Sequence, residues 1–412
     1  MHSTSRVNLP AIDGMRGVAA LLILLTHVPL FILAKGPPRA VMMSFYMGVD
    51  LFFVLSGFVL FLPVALGSGR FGSKKAYFVR RAGRILPAYY VSLVIVIVLN
   101  SLLTNSRVAL PQHSWRALLT LGSHLTLVQH ELSPSSEGFG VNTVIWTLSI
   151  EALFYLLLPF VAAWYFKHPY SGLLLALGTG VLWKMAATHP LFTLPGVDYE
   201  TTRVALAFQF PTYLGHFAMG MTAARVYSSI RASGLPKRLV RAVPAVQVGA
   251  LLGLLYQMHE AGQARQLGRW EFVRHATGTT GVAACFALFL LCTVVGPSWS
   301  QWPLANRFSR WMGEISYGVY LYHLPIIGFA FTTLNYEKYG SSNSVVKMFM
   351  LAVPAAIFAG WISHIAVERP IYRRARDLSR RIEAPFDEDQ QSLRELTGAI
   401  HAPREALQPD AV

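Results

Sequence analysis

The chain has 412 residues, of which 54% are apolar and only 13% charged, with a mean hydropathy of +0.44. A soluble protein of this size carries charge on about a quarter of its residues, so one large soluble core is excluded, and the repeated apolar runs point to an all-α, polytopic membrane protein. The net charge of +15 comes with no nucleic-acid-binding motif, and a nucleic-acid partner is not needed to explain it.

Hydropathy predicts about ten transmembrane helices, near 15–34, 44–66, 85–104, 142–166, 171–188, 204–225, 242–258, 275–295, 314–334 and 346–368. The first apolar run is longer than a signal-peptide core and is followed by no small-x-small cleavage site, so no cleavable signal is expected. Segment 117–129 is apolar but short, and contains His124; it reads as an interfacial or re-entrant piece. Cys285 and Cys292 lie seven apart in one span and read as packing residues; neither a metal site nor a disulfide follows from them. The expected organisation is a membrane domain over 1–371 and a short cytoplasmic tail over 372–412. The tail reads as a short helix followed by a disordered, acidic-polar end.

Ten spans place both termini on one side. That side collects 24 of the 35 basic residues, against ten on the other and Lys184 within a span. The positive-inside bias therefore predicts cytoplasmic termini and a cytoplasmic 67–84 loop, in a multi-pass protein of the inner or plasma membrane. The excess charge is a topology and anionic-lipid signature.

Arg16 and His27 carry the most information. Eleven residues return to within roughly 20° of the same helix face and separate the two groups by about 16 Å. That is about half of a hydrocarbon core roughly 30 Å thick. Arg16 is thus placed at one membrane surface and His27 at mid-membrane, on one wall of a single cavity. An imidazole at that depth is either hydrogen-bonded across helices or a working base. Neutral imidazole can take the proton of an attacking hydroxyl.

Arg81 and Arg84 are three apart and share a helix face, with Arg80 pointing elsewhere. They read either as positive-inside anchors or as a fork-shaped grip on phosphates. Glu151, in an otherwise apolar helix, requires a partner. It reads as the group that orients His27 or as one member of a buried ion pair. His323 is near mid-depth, and Asp50 is near the outer end of the second span; both are candidates for lining the cavity. Ser56, next to Gly57, reads as a close-packing position rather than a nucleophile.

Six stretches then matter together. They are Ile-Asp-Gly-Met-Arg-Gly at 12–17 with His27, Gly-Val-Asp-Leu-Phe-Phe-Val-Leu-Ser-Gly-Phe at 48–58, and Phe-Val-Arg-Arg-Ala-Gly-Arg-Ile-Leu-Pro-Ala-Tyr at 78–89. The others are Trp-Thr-Leu-Ser-Ile-Glu-Ala-Leu-Phe-Tyr at 146–155, Ile-Ser-Tyr-Gly-Val-Tyr-Leu-Tyr-His at 315–323, and Glu-Arg-Pro at 368–370. In this order they resemble the acyltransferase family 3 integral membrane enzymes, over roughly residues 9 to 371. The resemblance implies transfer of an acyl group, often acetyl, from a coenzyme A thioester to a hydroxyl of a glycan, a glycolipid or a secondary metabolite. Acyl-coenzyme A would be a co-substrate, with no bound cofactor and no metal. The motifs linked to activity fall on Arg16 with His27 and on Arg81 with Arg84. Many relatives carry a fused SGNH-type domain after the membrane part; none is expected here. Two rivals stay open from the residues: a transporter whose buried Arg, His and Glu form a coupling path, and a structural partner of a glycan-assembly complex.

Overall fold

The computed structural model describes residues 8–32, 41–42, 44–102, 114–132, 142–187, 189, 202, 205–264, 271–333 and 342–384. Among the described residues the chain is helical, with no strand. The helices are α1 (Pro10–Ile32), α2 (Gly48–Leu66, entered through a 3₁₀ turn at Phe45–Met47), α3 (Lys74–Leu102), α4 (Ser114–Leu125), α5 (Gln129–Leu132) and α6 (Trp146–Lys167). They continue with α7 (Pro169–Ala187), α8 (Phe210–Ser233), α9 (Lys237–Ala264), α10 (Glu271–Val295), α11 (Ser298–Ala305), α12 (Arg307–Thr333) and α13 (Ser342–Ser363).

Each of the ten predicted spans coincides with a long helix. Seven described helices are long and apolar enough to cross a membrane, and an eighth is added if the pair bent by 114° between α10 and α11 counts as one span. The chain is a multi-pass membrane protein. The two predicted spans that fall short on apolarity are α8 and α12, continuous helices of 24 and 27 residues. Both pack against several other helices. A helix shielded from lipid by its neighbours can carry polar side chains that a lipid-facing helix cannot, and α8 and α12 hold His216, Ser316 and His323 in the protein interior.

Close backbone approach sets the helix pairs. On α2 and α8, a Cβ at Gly57 would lie 2.1 Å from the Phe217 carbonyl oxygen, and one at Gly220 would lie 2.0 Å from that of Val54. Across α1 and α12, a Cβ at Gly313 would lie 1.9 Å from the Asp13 carbonyl oxygen. Small residues let membrane helices touch along their backbones, where packing drives association. These contacts hold α1, α2, α8 and α12 in fixed rotation, which decides which side chains face one another.

The ends of α2 and α3 are locally encoded. Gly69 adopts φ +85, and the Gly67 and Gly69 amides close the last turn of α2 on the Pro63 and Val64 carbonyls. The Ser73 hydroxyl accepts from the Ala76 amide and starts α3, whose first turns carry Arg80, Arg81 and Arg84.

The boundary expected at residue 371 falls inside a helix. After α13 the chain makes one π-helical turn at His364–Glu368 and runs on helically over 369–384. Glu383 there accepts a 2.6 Å bond from Arg80. The expected disordered end lies outside the described residues. The 117–129 piece is helix α4 with its following turn, 12 residues in the helix itself; a helix of that length falls short of a bilayer core.

Candidate active site

A cavity of about 270 Å³ lies between α1, α2, α3, α6 and α12, with Tyr372 of the C-terminal extension at its edge. Each helix contributes one face. Residues 12, 13 and 16 come from α1, residues 49, 52, 56 and 59 from α2, and Arg81 and Arg84 from α3. Positions 147, 151 and 155 come from α6, and 316, 317 and 320 from α12. The steps 49–52–56–59, 81–84 and 147–151–155 are the three- and four-residue steps that keep side chains on one helical stripe.

The charges in the cavity are Arg16, Arg81 and Arg84 against Asp13 and Glu151. Arg84 and Arg310 are the cations that act on Asp13. The Arg84 guanidinium sits over the Tyr372 ring, 5.8 Å from its centroid. Arg80 points away, to Glu383. The Arg81 Nε is buried with no hydrogen-bond partner among the described residues. Three arginines against two carboxylates give the cavity a formal positive excess, which suits an anion.

Glu151 and Ser56 meet inside this cavity. The Ser56 hydroxyl donates to Glu151 Oε1 at 2.5 Å, across 95 residues of sequence. The expectation that Ser56 only packs therefore needs correction. Gly57 makes the tight contact with α8, and Ser56, one residue or 100° earlier, faces the cavity. Glu151 is paired with Ser56, and the Tyr155 side chain also hydrogen-bonds to it; the partners expected for it were His27 and Arg16.

His27 lies further along α1, and its imidazole partner is His323. His27 Nδ1 is 2.7 Å from the Ile23 carbonyl oxygen and 3.3 Å from His323 Nε2. His323 Nδ1 is 2.8 Å from the Tyr320 carbonyl oxygen. A nitrogen facing a carbonyl must carry the hydrogen, so His323 is protonated at Nδ1 and its Nε2 is an acceptor. The neighbours of His27 Nδ1 are then both acceptors, which puts the hydrogen on Nδ1 and leaves Nε2 as the basic nitrogen. His323 is fully buried and holds the ring of its neighbour in one tautomer.

Tyr320 and Phe52 line the arginine cavity, and His27 and His323 lie outside that lining, with His323 against the Tyr320 ring. The Tyr320 and Phe52 rings meet edge-on at 5.9 Å, and Tyr320 is also 5.9 Å from the His323 ring. Tyr320 is fixed by donating to the Val144 carbonyl and by accepting from Thr147 Oγ1 at 2.5 Å. Tyr317, one residue from Ser316 on the cavity wall, donates to the Ile85 carbonyl at 3.0 Å and ties α12 to α3.

Asp50 faces the other side of α2. Its Oδ1 accepts from His216 Nε2 at 2.8 Å, with both side chains almost fully buried. Lys184, which donates to Thr279 at 2.6 Å, is the cation acting on Asp50 from α7. His216 escaped the sequence reading; the available signal was a histidine within an apolar span. Removing Asp50 leaves the buried His216 N–H without its acceptor, at about 1–3 kcal/mol. Asp50→Ala is expected to lower the thermal midpoint of the purified protein in detergent. Asp50→Asn, which can still hydrogen-bond to His216, is expected to lower it less. Equal midpoints for wild type and Asp50→Ala would remove this pair from the stabilising contacts.

Residues 9–365 match the family model described as an acyltransferase domain. The chain is 26% identical over 376 residues to the peptidoglycan O-acetyltransferase OatA of Listeria monocytogenes, covering 89% of this chain and 56% of that protein. It is 26% identical over 384 residues to the putative peptidoglycan O-acetyltransferase YrhL of Bacillus subtilis, covering 91% and 56%. A putative O-acetyltransferase of Staphylococcus aureus is 22% identical over 373 residues, covering 88% and 57%. The chain thus spans a little over half the length of these curated relatives. No solved structure matches it. With the match running through α1 to α13 and across every wall of the arginine-lined cavity, the chain belongs to this acyltransferase family.

Proposed function

We propose that the protein is a membrane-bound O-acyltransferase that moves an acetyl group from acetyl-coenzyme A to a hydroxyl of an envelope glycan or glycolipid. The observation that carries this reading is a cavity with three arginines, one with a buried and unpartnered Nε, that also holds the Ser56–Glu151 pair. An anionic, phosphate-bearing donor would match the charge of the three arginines. The names of the relatives, peptidoglycan O-acetyltransferases, favour a glycan as acceptor.

In this mechanism Arg16, Arg81 and Arg84 bind the phosphates of the donor. His27 Nε2 takes the proton of the acceptor hydroxyl as that oxygen attacks the acyl carbonyl, and His323 positions the imidazole. Purified protein in lipid nanodiscs, given acetyl-coenzyme A and extracts of envelope glycan, should release free thiol and yield O-acetylated glycan by mass spectrometry. Neither product from folded protein would refute the assignment.

The same reading requires the donor mouth to face the cytoplasm, with both termini on that side. After replacement of Cys285 and Cys292, a cysteine at Ser73 should resist an impermeant thiol reagent in intact cells, and one at His189 should react. The motive is the six basic residues at 70, 74, 75, 80, 81 and 84 around the first position. Labelling at Ser73 would invert the topology.

A further inference from the structure

We infer that Ser56 is an acyl-accepting nucleophile, so that transfer runs through a covalent Ser56 ester. This inference rests on the acyltransferase reading and deepens it.

Four observations converge on Ser56. Its hydroxyl donates to a carboxylate oxygen at 2.5 Å, which is the contact a general base makes with the nucleophile it activates. Both groups line the same cavity as the three arginines. The Oγ–H is committed to Glu151, which leaves the oxygen lone pairs for attack on a carbonyl carbon. Gly57 takes up the packing against α8, so the Ser56 position is not spent on helix contact.

The cavity also supplies a group for the charge that develops. The Arg81 side chain lines the same space. A cationic donor already desolvated costs no reorganisation when an oxyanion forms beside it. Arg81 and Glu151 both act on the Tyr155 hydroxyl, which keeps the three groups in one electrostatic unit.

The steps balance. In the first, Ser56 Oγ forms a bond to the thioester carbonyl carbon and the carbon–sulfur bond breaks. The Ser56 proton passes to Glu151 and then to the departing sulfur, so coenzyme A leaves as the free thiol. In the second, the acceptor oxygen bonds to the same carbon and the Ser56 ester bond breaks. The acceptor proton is taken by His27 and returned to Ser56 Oγ. No oxidant, reductant or further reactant is involved.

The test uses the full chain in nanodiscs with acetyl-coenzyme A and no acceptor, quenched in acid and digested for peptide mass spectrometry. Expected is one acetyl group on the peptide containing Ser56 in wild type and in His27→Ala; on addition of envelope glycan the wild-type adduct is discharged and the His27→Ala adduct persists because the second step stalls. Ser56→Ala should lose the adduct and about 10³-fold or more of transfer. Ser56→Cys should carry its acetyl as a thioester, cleaved by hydroxylamine at neutral pH, a change that a purely structural serine would not produce. The wild-type and His27→Ala adducts do not depend on whether Ser56→Ala folds. The inference is overturned if active wild type and His27→Ala both lack the Ser56 adduct, if the acetyl group maps to another side chain, or if Ser56→Ala transfers at the wild-type rate. In each of those outcomes the acyltransferase reading survives. Absence of both thiol release and transfer in folded wild type would instead sink that reading, and this one with it.

Discussion

His27→Ala is expected to reduce acyl transfer by about 10²–10⁴-fold, the range that a positioned general base contributes, while the protein still inserts and accumulates. The Ile23 carbonyl and His323 Nε2 both face Nδ1 of this ring, so the basic nitrogen is Nε2 and its direction is fixed. The loss should fall on kcat rather than on the Michaelis constant for the donor, because the imidazole acts on the acceptor proton and not on the phosphates. His323→Ala should cost less. It leaves the base in place and removes only the neighbour that holds it. Turnover rates for both variants, corrected for protein amount in the membrane, decide the matter. Wild-type turnover in His27→Ala would return this imidazole to a helix–helix hydrogen bond.

Arg81→Ala is expected to raise the apparent Michaelis constant for acetyl-coenzyme A by about 10- to 100-fold, from the roughly 1.5–3 kcal/mol that a hydrogen bond to a charged group contributes. Arg81 has the stronger case among the three cavity arginines because its Nε is buried and unpartnered among the described residues. Arg84 already rests on the Tyr372 ring and should show a smaller shift. A phosphate contact remote from the reacting carbonyl holds ground state and transition state alike, so its loss weakens binding more than it slows chemistry. Arg81→Lys should rescue only in part, since lysine keeps the charge and loses the planar fork. If Arg81 instead faces the reacting carbonyl, as the Ser56 route requires, kcat falls as well. Donor titrations of the two variants separate these outcomes, and an unchanged donor dependence with unchanged kcat would leave Arg81 as a topology anchor.

The sequence by itself determined the class of the fold and the stripe each residue occupies. The apolar runs and the spacings of Arg16, Arg81, Arg84 and Glu151 are local quantities, and they reappear as helices and as cavity-facing positions because a helix keeps its register whatever it packs against. Partners are not local. Ser56 with Glu151, His27 with His323, and Asp50 with His216 lie 95, 296 and 166 residues apart. Which of them meet depends on how far each helix is rotated about its axis. That rotation is set by backbone contacts such as Gly57 on Phe217 and Gly313 on Asp13, where a single methyl group would not fit. A rotation of 100° would exchange Ser56 for Gly57 at the cavity wall. Only the tertiary structure could therefore decide that Glu151 faces a serine, that a second histidine orients the first, and that Asp50 is turned away from the cavity.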